Sequence, residues 1–143
     1  MMPIGTGGKD FASRVEITPR VLVIDDESLV RWSLTTGLRA AGFDAVAAAD
    51  GSEARAIARQ FPRPDVVLLD VHLWDGNPRQ LLDDIQALAP RCRFLILVVP
   101  GRDVVLPSWN NVDIIRKPFD LPAVIHAVEV AVRHPPVSGR IAV

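Results

Sequence analysis

The sequence lacks most features of secreted and membrane-spanning proteins. Its single cysteine, Cys92, cannot form an internal disulfide, which is typical of proteins from a reducing cytoplasm. No apolar run reaches the ~18 residues that a membrane span needs, and residues 1–18 contain no apolar segment of signal-peptide length. The sequence therefore predicts a soluble, cytoplasmic protein with no membrane contact.

A marked excess of basic residues is also missing. The chain has 16 lysines and arginines against 17 aspartates and glutamates, giving a formal net charge of -1. Proteins that bind nucleic acids directly usually carry a clustered positive surface, so we expect no direct nucleic-acid binding. With 143 residues, 49% of them apolar, the chain has room for one domain with a substantial core.

Short apolar runs alternate with helical patterns along most of the chain. This alternation favours parallel strands joined by crossover helices, which is an α/β, doubly wound architecture. We predict a flexible N-terminal arm at 1–19, one domain at 20–134 and a flexible C-terminal tail at 135–143. The predicted strands are 20–24, 43–47, 66–69, 94–99 and 112–115. The predicted helices are 28–41 with Ser28 as its cap, 52–61, 80–88, one or two turns near 102–106, and 120–134 with Asp120 as its cap.

Charged residues follow three of the predicted strands. Asp25 and Asp26 follow the first strand, Asp70 follows the third and Lys117 follows the fifth. Ligands of open parallel sheets bind beyond the carboxyl ends of the strands, so these side chains should converge there. Three carboxylates and a lysine around one point suit Mg²⁺ and phosphate.

Four segments resemble motifs of the receiver domain of two-component response regulators. They are V-L-V-I-D-D-E at 21–27, V-V-L-L-D at 66–70, D-G at 75–76 and R-K-P-F-D at 116–120. The resemblance covers about residues 20–134 and implies a flavodoxin-like sheet with strand order 2-1-3-4-5. Because no segment long enough for an output domain follows, we expect a receiver alone and no enzyme.

The resemblance also assigns roles to the residues at the strand ends. Asp70 would accept a phosphoryl group from the phosphohistidine of a sensor kinase or phosphotransfer protein. Asp26, Asp70 and the backbone carbonyl of His72 would bind Mg²⁺ directly, and Asp25 would bind it through water. Lys117 would contact the phosphoryl oxygens.

Several positions depart from the receiver pattern. Receivers usually have Ser or Thr where this chain has Val99, a small residue at Pro100 and an aromatic ring at Ile114. The segment from Val99 to Lys117 spans 18 positions, about one helical turn fewer than in most receivers. Trp74, where relatives often have proline, could gate the acidic pocket or contact a partner.

These departures leave three functional hypotheses open. The first is a response regulator that is phosphorylated on Asp70 and signals to a downstream protein by an atypical route. The second is a pseudo-receiver, a protein-binding module whose output does not depend on phosphate. The third is a Mg²⁺-dependent phosphatase, although the D-x-D-x-T motif of such enzymes is absent.

Two apolar segments allow both a packing and a docking interpretation. Residues 104–109 favour packing in the core or a loop over a docking patch. The last predicted helix has apolar residues on two faces, which is common when a second partner packs on a helix. We therefore expect a homodimer or a docked protein at this helix.

Overall fold

The computed structural model describes residues 18–70, 77–101 and 106–134. Most of the predicted N-terminal arm, the C-terminal tail, His72, Trp74 and most of the predicted helical segment at 102–106 lie outside these ranges. None of the described helices is both long and apolar enough to cross a membrane.

Five strands and four helices alternate along the described residues. No helix lies between the fourth and fifth strands in the described part of that connection, where Leu106 is not helical. The strands are β1 Arg20–Ile24, β2 Asp44–Ala48, β3 Val66–Asp70, β4 Arg93–Val98 and β5 Val112–Arg116, and the helices are α1 Ser28–Ala40, α2 Gly51–Ala58, α3 Pro78–Leu88 and α4 Leu121–Arg133.

The five strands form one parallel sheet in the order β2-β1-β3-β4-β5. The predicted fold class and strand order are therefore confirmed. β3 lies at the centre of the sheet and all five of its residues are buried. Its continuous apolar run suits a strand that is covered on both faces.

The core is divided by the sheet into two layers. On one face, Leu22, Leu69 and Phe94 pack with residues of α2 and α3, and buried Cys92 belongs to this layer. On the other face, residues of α1 and α4 cover alternate side chains of β1 and β3. This two-sided cover is what allows the middle strands to contain continuous apolar runs.

Side-chain caps fix the start of three helices but not of α1. Asp50, Asn77 and Asp120 each accept a hydrogen bond from the backbone N–H three residues later. We predicted Ser28 as the cap of α1, and this is wrong: Glu27 occupies the cap position without a side-chain hydrogen bond, and Ser28 is already helical. Several consecutive polar residues follow β1, and residue preferences for the cap position alone do not determine which of them caps the helix.

Loop residues cover the sheet where many doubly wound proteins have a helix. Pro107 is buried, and the Trp109 ring packs at 5.9 Å from the Phe94 ring centroid. The Asn111 amide donates to Gln86 Oε1 and to the Cys92 carbonyl, both at 2.8 Å. These contacts confirm the packing interpretation for the described part of 104–109.

Candidate functional site

The register of the sheet brings three of the predicted site residues together. Ile24 pairs with Leu69, so Asp25 and Asp70 follow side by side at the ends of neighbouring strands. Val98 pairs with Arg116, which places Lys117 one position beyond the end of β5. All three residues therefore lie at the carboxyl edge of the sheet, as the sequence predicts.

Asp70 and Lys117 form an ion pair across the end of β4. Asp70 is the last residue of β3 and its side chain is 1% exposed, whereas the Lys117 side chain is 27% exposed. The Lys117 ammonium group donates to Asp70 Oδ2. The Lys117 backbone N–H donates to the Val98 carbonyl at 2.8 Å, which fixes the start of the β5–α4 loop beside the pocket.

Asp25 is buried in a setting that disfavours its charge. Oδ1 accepts the Glu27 backbone N–H at 2.9 Å, and Oδ2 is buried with no hydrogen-bond partner among the described residues. Burial raises the pKa of Asp25 to about 6 from 3.8, the charges of Asp70 and Asp26 add to the rise, and the Glu27 N–H and Lys117 oppose it.

Asp26 completes the acidic group from a more open position. Its side chain is exposed in the bend between β1 and α1. Within the described residues, no three acidic, histidine or cysteine side chains lie close enough to form a ready-made metal cluster. The structure instead pairs Lys117 with Asp70, and one buried oxygen of Asp25 has no hydrogen-bond partner within 18–70, 77–101 and 106–134.

This donor set fits a hard divalent cation. Asp25 Oδ2, which has no partner in the described part of the chain, is an acceptor that a cation or its water could satisfy. Positive charge nearby would also lower the pKa that burial raises. Mg²⁺ keeps several waters and needs only one or two carboxylates from a protein. Asp26 at the rim and Asp70 in the pocket supply such carboxylates.

The described positions that depart from the receiver pattern lie around Lys117 and on the edge strand β5. Val99 and Pro100 line an apolar cavity of about 440 Å³ together with Lys117 and two following residues, Pro118 and Phe119. Val99 has no hydroxyl to donate to a ligand at Asp70. Ile114 lies on the edge strand β5 with 47% of its surface exposed.

One neighbour of the acidic pocket was not predicted from the sequence. Arg31, in the second turn of α1, donates from Nη1 to the Asp25 backbone carbonyl at 2.8 Å. Its position six residues after Asp25 offers only a weak signal, because an arginine on a helix usually points to solvent. The predicted contributions of the His72 carbonyl and Trp74 lie outside the described residues.

Comparison with known sequences identifies the family. The profile of the response regulator receiver domain matches residues 21–129. The chain belongs to the response regulator receiver family. Receivers are signalling modules of two-component systems, which confirms the broad assignment made from the strand-end motifs.

Curated relatives of this receiver include mycobacterial transcriptional regulators. The chain is 36% identical over 109 residues to the probable transcriptional regulatory protein TcrX of Mycobacterium tuberculosis, covering 73% of this chain and 46% of that protein. It is 48% identical over 56 residues to the transcriptional regulatory protein PrrA of the same species, covering 39% of this chain and 24% of that protein. The chain thus spans less than half the length of either relative.

Solved structures support the same fold. A response regulator receiver domain protein from Clostridium thermocellum superposes with a TM-score of 0.69 at 24% identity, covering 80% of this chain and 94% of that one. A two-component transcriptional regulator AraC from Clostridium phytofermentans has a TM-score of 0.68 at 28% identity, covering 81% of this chain and 93% of that one.

Proposed function

We propose that this receiver accepts a phosphoryl group on Asp70 from the phosphohistidine of a sensor histidine kinase or a phosphotransfer protein. The observation that carries the proposal is the buried Asp70 carboxylate at the end of the central strand, with the Lys117 ammonium on one oxygen and Asp25 beside it. A carboxylate is a competent nucleophile when nearby positive charge neutralises the transferring group.

The transfer step uses groups that the chain supplies. An Asp70 oxygen attacks phosphorus while the phosphorus–nitrogen bond to imidazole breaks, and the imidazole nitrogen keeps the bonding electrons and takes up a proton. The product is an acyl phosphate on Asp70. Because Lys117 Nζ already contacts Asp70 Oδ2, it is placed to neutralise charge on a phosphoryl oxygen.

Mg²⁺ belongs to the same proposal. Asp26, Asp70 and the His72 carbonyl would hold it, with Asp25 contributing through water. When bound, it would supply additional positive charge at the phosphoryl oxygens. The lack of a partner for Asp25 Oδ2 among the described residues and the raised pKa of its carboxyl group support a cation at this position.

The output of this receiver is proposed to follow an atypical route to a downstream protein. Val99 and Ile114 cannot supply a hydroxyl donor or an aromatic ring. A ligand shifts a conformational equilibrium only through different affinities for its states, so fewer phosphate-sensing groups should weaken that shift. These same substitutions favour the second candidate, a pseudo-receiver that binds proteins whether or not it is phosphorylated.

The site is tested by titrating the protein with Mg²⁺ and beryllofluoride, a phosphoryl mimic, while recording backbone NMR shifts. We expect an adduct that needs both Mg²⁺ and the Asp70 carboxylate. Asp70→Asn should show no adduct, whereas Asp65→Asn, at the opposite end of β3, should behave as wild type. An adduct that survives Asp70→Asn would overturn the assignment of the phosphoacceptor.

The surface around α4 is proposed as a homodimer contact. Val130 on α4 is 40% exposed, and it borders a cavity of about 330 Å³ between α4 and β5. Light scattering at high protein concentration should detect a dimer that Val130→Glu weakens. A wild-type monomer at every concentration would contradict this contact.

We also propose that this receiver is located in the cytoplasm and does not bind nucleic acids directly.

A further inference from the structure

Among the described arginines, only Arg31 donates a side-chain hydrogen bond to the backbone of the acidic pair. Its Nη1 donates to the Asp25 carbonyl at 2.8 Å, and the side chain is half-buried. The Arg31 backbone also belongs to the first helical hydrogen bonds of α1, since its N–H donates to the Glu27 carbonyl at 3.1 Å. Arg31 therefore joins the start of α1 to the end of β1.

The carbonyl that Arg31 contacts belongs to the peptide between the two acidic residues. The Asp25 N–H donates to the Ala48 carbonyl at 3.2 Å, and Asp25 Oδ1 accepts from the Glu27 N–H at 2.9 Å. With the Asp25 carbonyl held by Arg31, every polar backbone group of Asp25 has a partner. The direction in which the next residue, Asp26, leaves the strand is then fixed by this peptide plane.

The start of α1 has few other restraints. Its cap residue, Glu27, makes no side-chain capping hydrogen bond, and the first turn contains no acidic residue. Asp26 itself is exposed in the bend before the helix. The Arg31 side chain, which reaches back from the second turn, therefore restrains the peptide before Asp26, together with the hydrogen bond from the Glu27 N–H to Asp25 Oδ1.

We propose that Arg31 is a positioning residue for the Mg²⁺ site, because its hydrogen bond to the Asp25 carbonyl orients the Asp25–Asp26 peptide and so places the Asp26 carboxylate. This inference rests on the proposed Mg²⁺-binding function. It assigns Arg31 no contact with the metal or the phosphoryl group.

The direction in which Arg31→Ala changes Mg²⁺ affinity distinguishes a positioning role from a purely electrostatic one. A guanidinium near a dication repels it, so a role through charge alone means that Arg31→Ala tightens Mg²⁺ binding, and more so at low salt. Positioning has the opposite consequence. Arg31→Ala should weaken Mg²⁺ binding by roughly tenfold, the loss typical of a charge-assisted hydrogen bond, with little dependence on salt.

Arg39 supplies a matched control on the same helix. It also donates from its guanidinium to a backbone carbonyl, that of Ala45, through Nε at 3.1 Å and Nη2 at 2.8 Å. Ala45 lies near the start of β2, at the opposite end of the strands from the acidic pocket. Arg39→Ala therefore removes the same kind of contact without touching the site.

The experiment is isothermal titration of the full chain with MgCl₂ at two salt concentrations, with urea unfolding in the absence of Mg²⁺. We expect weaker Mg²⁺ binding by Arg31→Ala, partial recovery by Arg31→Lys, and wild-type affinity for Arg39→Ala despite its lower stability. Unchanged or tighter binding by Arg31→Ala overturns the inference, as does equal weakening by Arg39→Ala. Absence of Mg²⁺ binding by the wild type would instead contradict the proposed function.

Discussion

At the scale of single residues, the acidic pair after β1 shows how neighbouring carboxylates can differ. Asp25 is 2% exposed, whereas Asp26 is exposed. Burial is the largest cause of the raised pKa of Asp25, which is about 6 rather than 3.8. The buried carboxylate therefore costs free energy whenever it is ionised in the folded protein.

The raised pKa predicts how stability depends on pH without Mg²⁺. The folded state binds the Asp25 proton more tightly than the unfolded state, so this residue lowers stability as pH rises from about 4 to about 6. Below pH 4 the residue is protonated in both states and contributes little. Above pH 6 its full cost is present.

Asp25→Asn should consequently stabilise the Mg²⁺-free protein at pH 7 by up to about 3 kcal/mol, because a pKa raised from 3.8 to about 6 corresponds to a free-energy difference of that size. The amide oxygen can still accept the Glu27 N–H, and the charge is removed. Urea unfolding at pH 7 and pH 4 measures the difference, which should shrink at pH 4. Asp26→Asn, at an exposed position, is the control and should change stability less. A gain of equal size at both pH values would contradict the explanation.

Val99 allows a second residue-scale prediction. Val99→Thr keeps nearly the same shape and adds a hydroxyl beside Lys117. One new hydrogen bond is worth about 0.5–1.5 kcal/mol, so the beryllofluoride adduct should bind up to about tenfold more tightly. Fluorescence or NMR titration provides the affinity, and Val130→Thr on α4 controls for a general effect of the hydroxyl. No gain by Val99→Thr would indicate that the Val99 side chain does not face the ligand.

At the scale of elements, the helix starts differ in how they are held. Asp50 caps α2 by accepting the Glu53 N–H at 2.8 Å, whereas Glu27 before α1 makes no such bond. Asp50→Ala should therefore lower the free energy of unfolding by about 1 kcal/mol, and Glu27→Ala should lower it by much less. Equal losses in urea unfolding would contradict the observed difference between the two starts.

The elements also show what the sequence could predict. Continuous apolar runs such as Val66–Leu69 identified the strands, because only a strand covered on both faces is apolar at every position. Breakdown of the helical pattern after β4 agreed with the described part of that connection, where Trp109 packs against Phe94 instead. The predicted cap of α1 was wrong by one residue, since cap preference cannot select among consecutive polar residues.

The site was predicted in part for the same reason. Charged residues directly after strands must lie at one edge of a parallel sheet, so Asp25, Asp70 and Lys117 could be placed without coordinates. The different burial of Asp25 and Asp26 could not be predicted from the sequence, because it depends on the conformation of the turn between β1 and α1. Nor could the Arg31 hydrogen bond, which joins a side chain to a backbone carbonyl and leaves no pattern in the sequence.

At the scale of the whole molecule, the packing of α1 on α4 offers a route from the pocket to a distant surface. Phe119 and Leu121, which follow Lys117, pack with the core layer under α1. A Cβ at Gly37 of α1 would lie 2.8 Å from Leu121 Cδ2, so the two helices approach closely at this point. We therefore expect that movement of Lys117 toward a phosphoryl group would alter the packing where α1 and α4 meet.

This packing predicts the extent of the response to beryllofluoride. Backbone NMR shifts should extend from the pocket to Leu121 on α4 and to Gly37 on α1. The amide of Ala58, on α2 across the sheet, is the internal control and should shift little. Shifts confined to residues adjoining Asp70 would favour the pseudo-receiver, in which the pocket is occupied without a change at the partner-binding surface.

The most direct test of the central claim is the intact mass of the protein after incubation with Mg²⁺ and a small-molecule phosphodonor. We expect a gain of one phosphoryl group in the wild type, lost on treatment with hydroxylamine, and no gain in Asp70→Asn. Asp65→Asn should be modified as the wild type is. Modification of Asp70→Asn, or none of a wild-type protein shown to bind Mg²⁺, would contradict phosphorylation on Asp70.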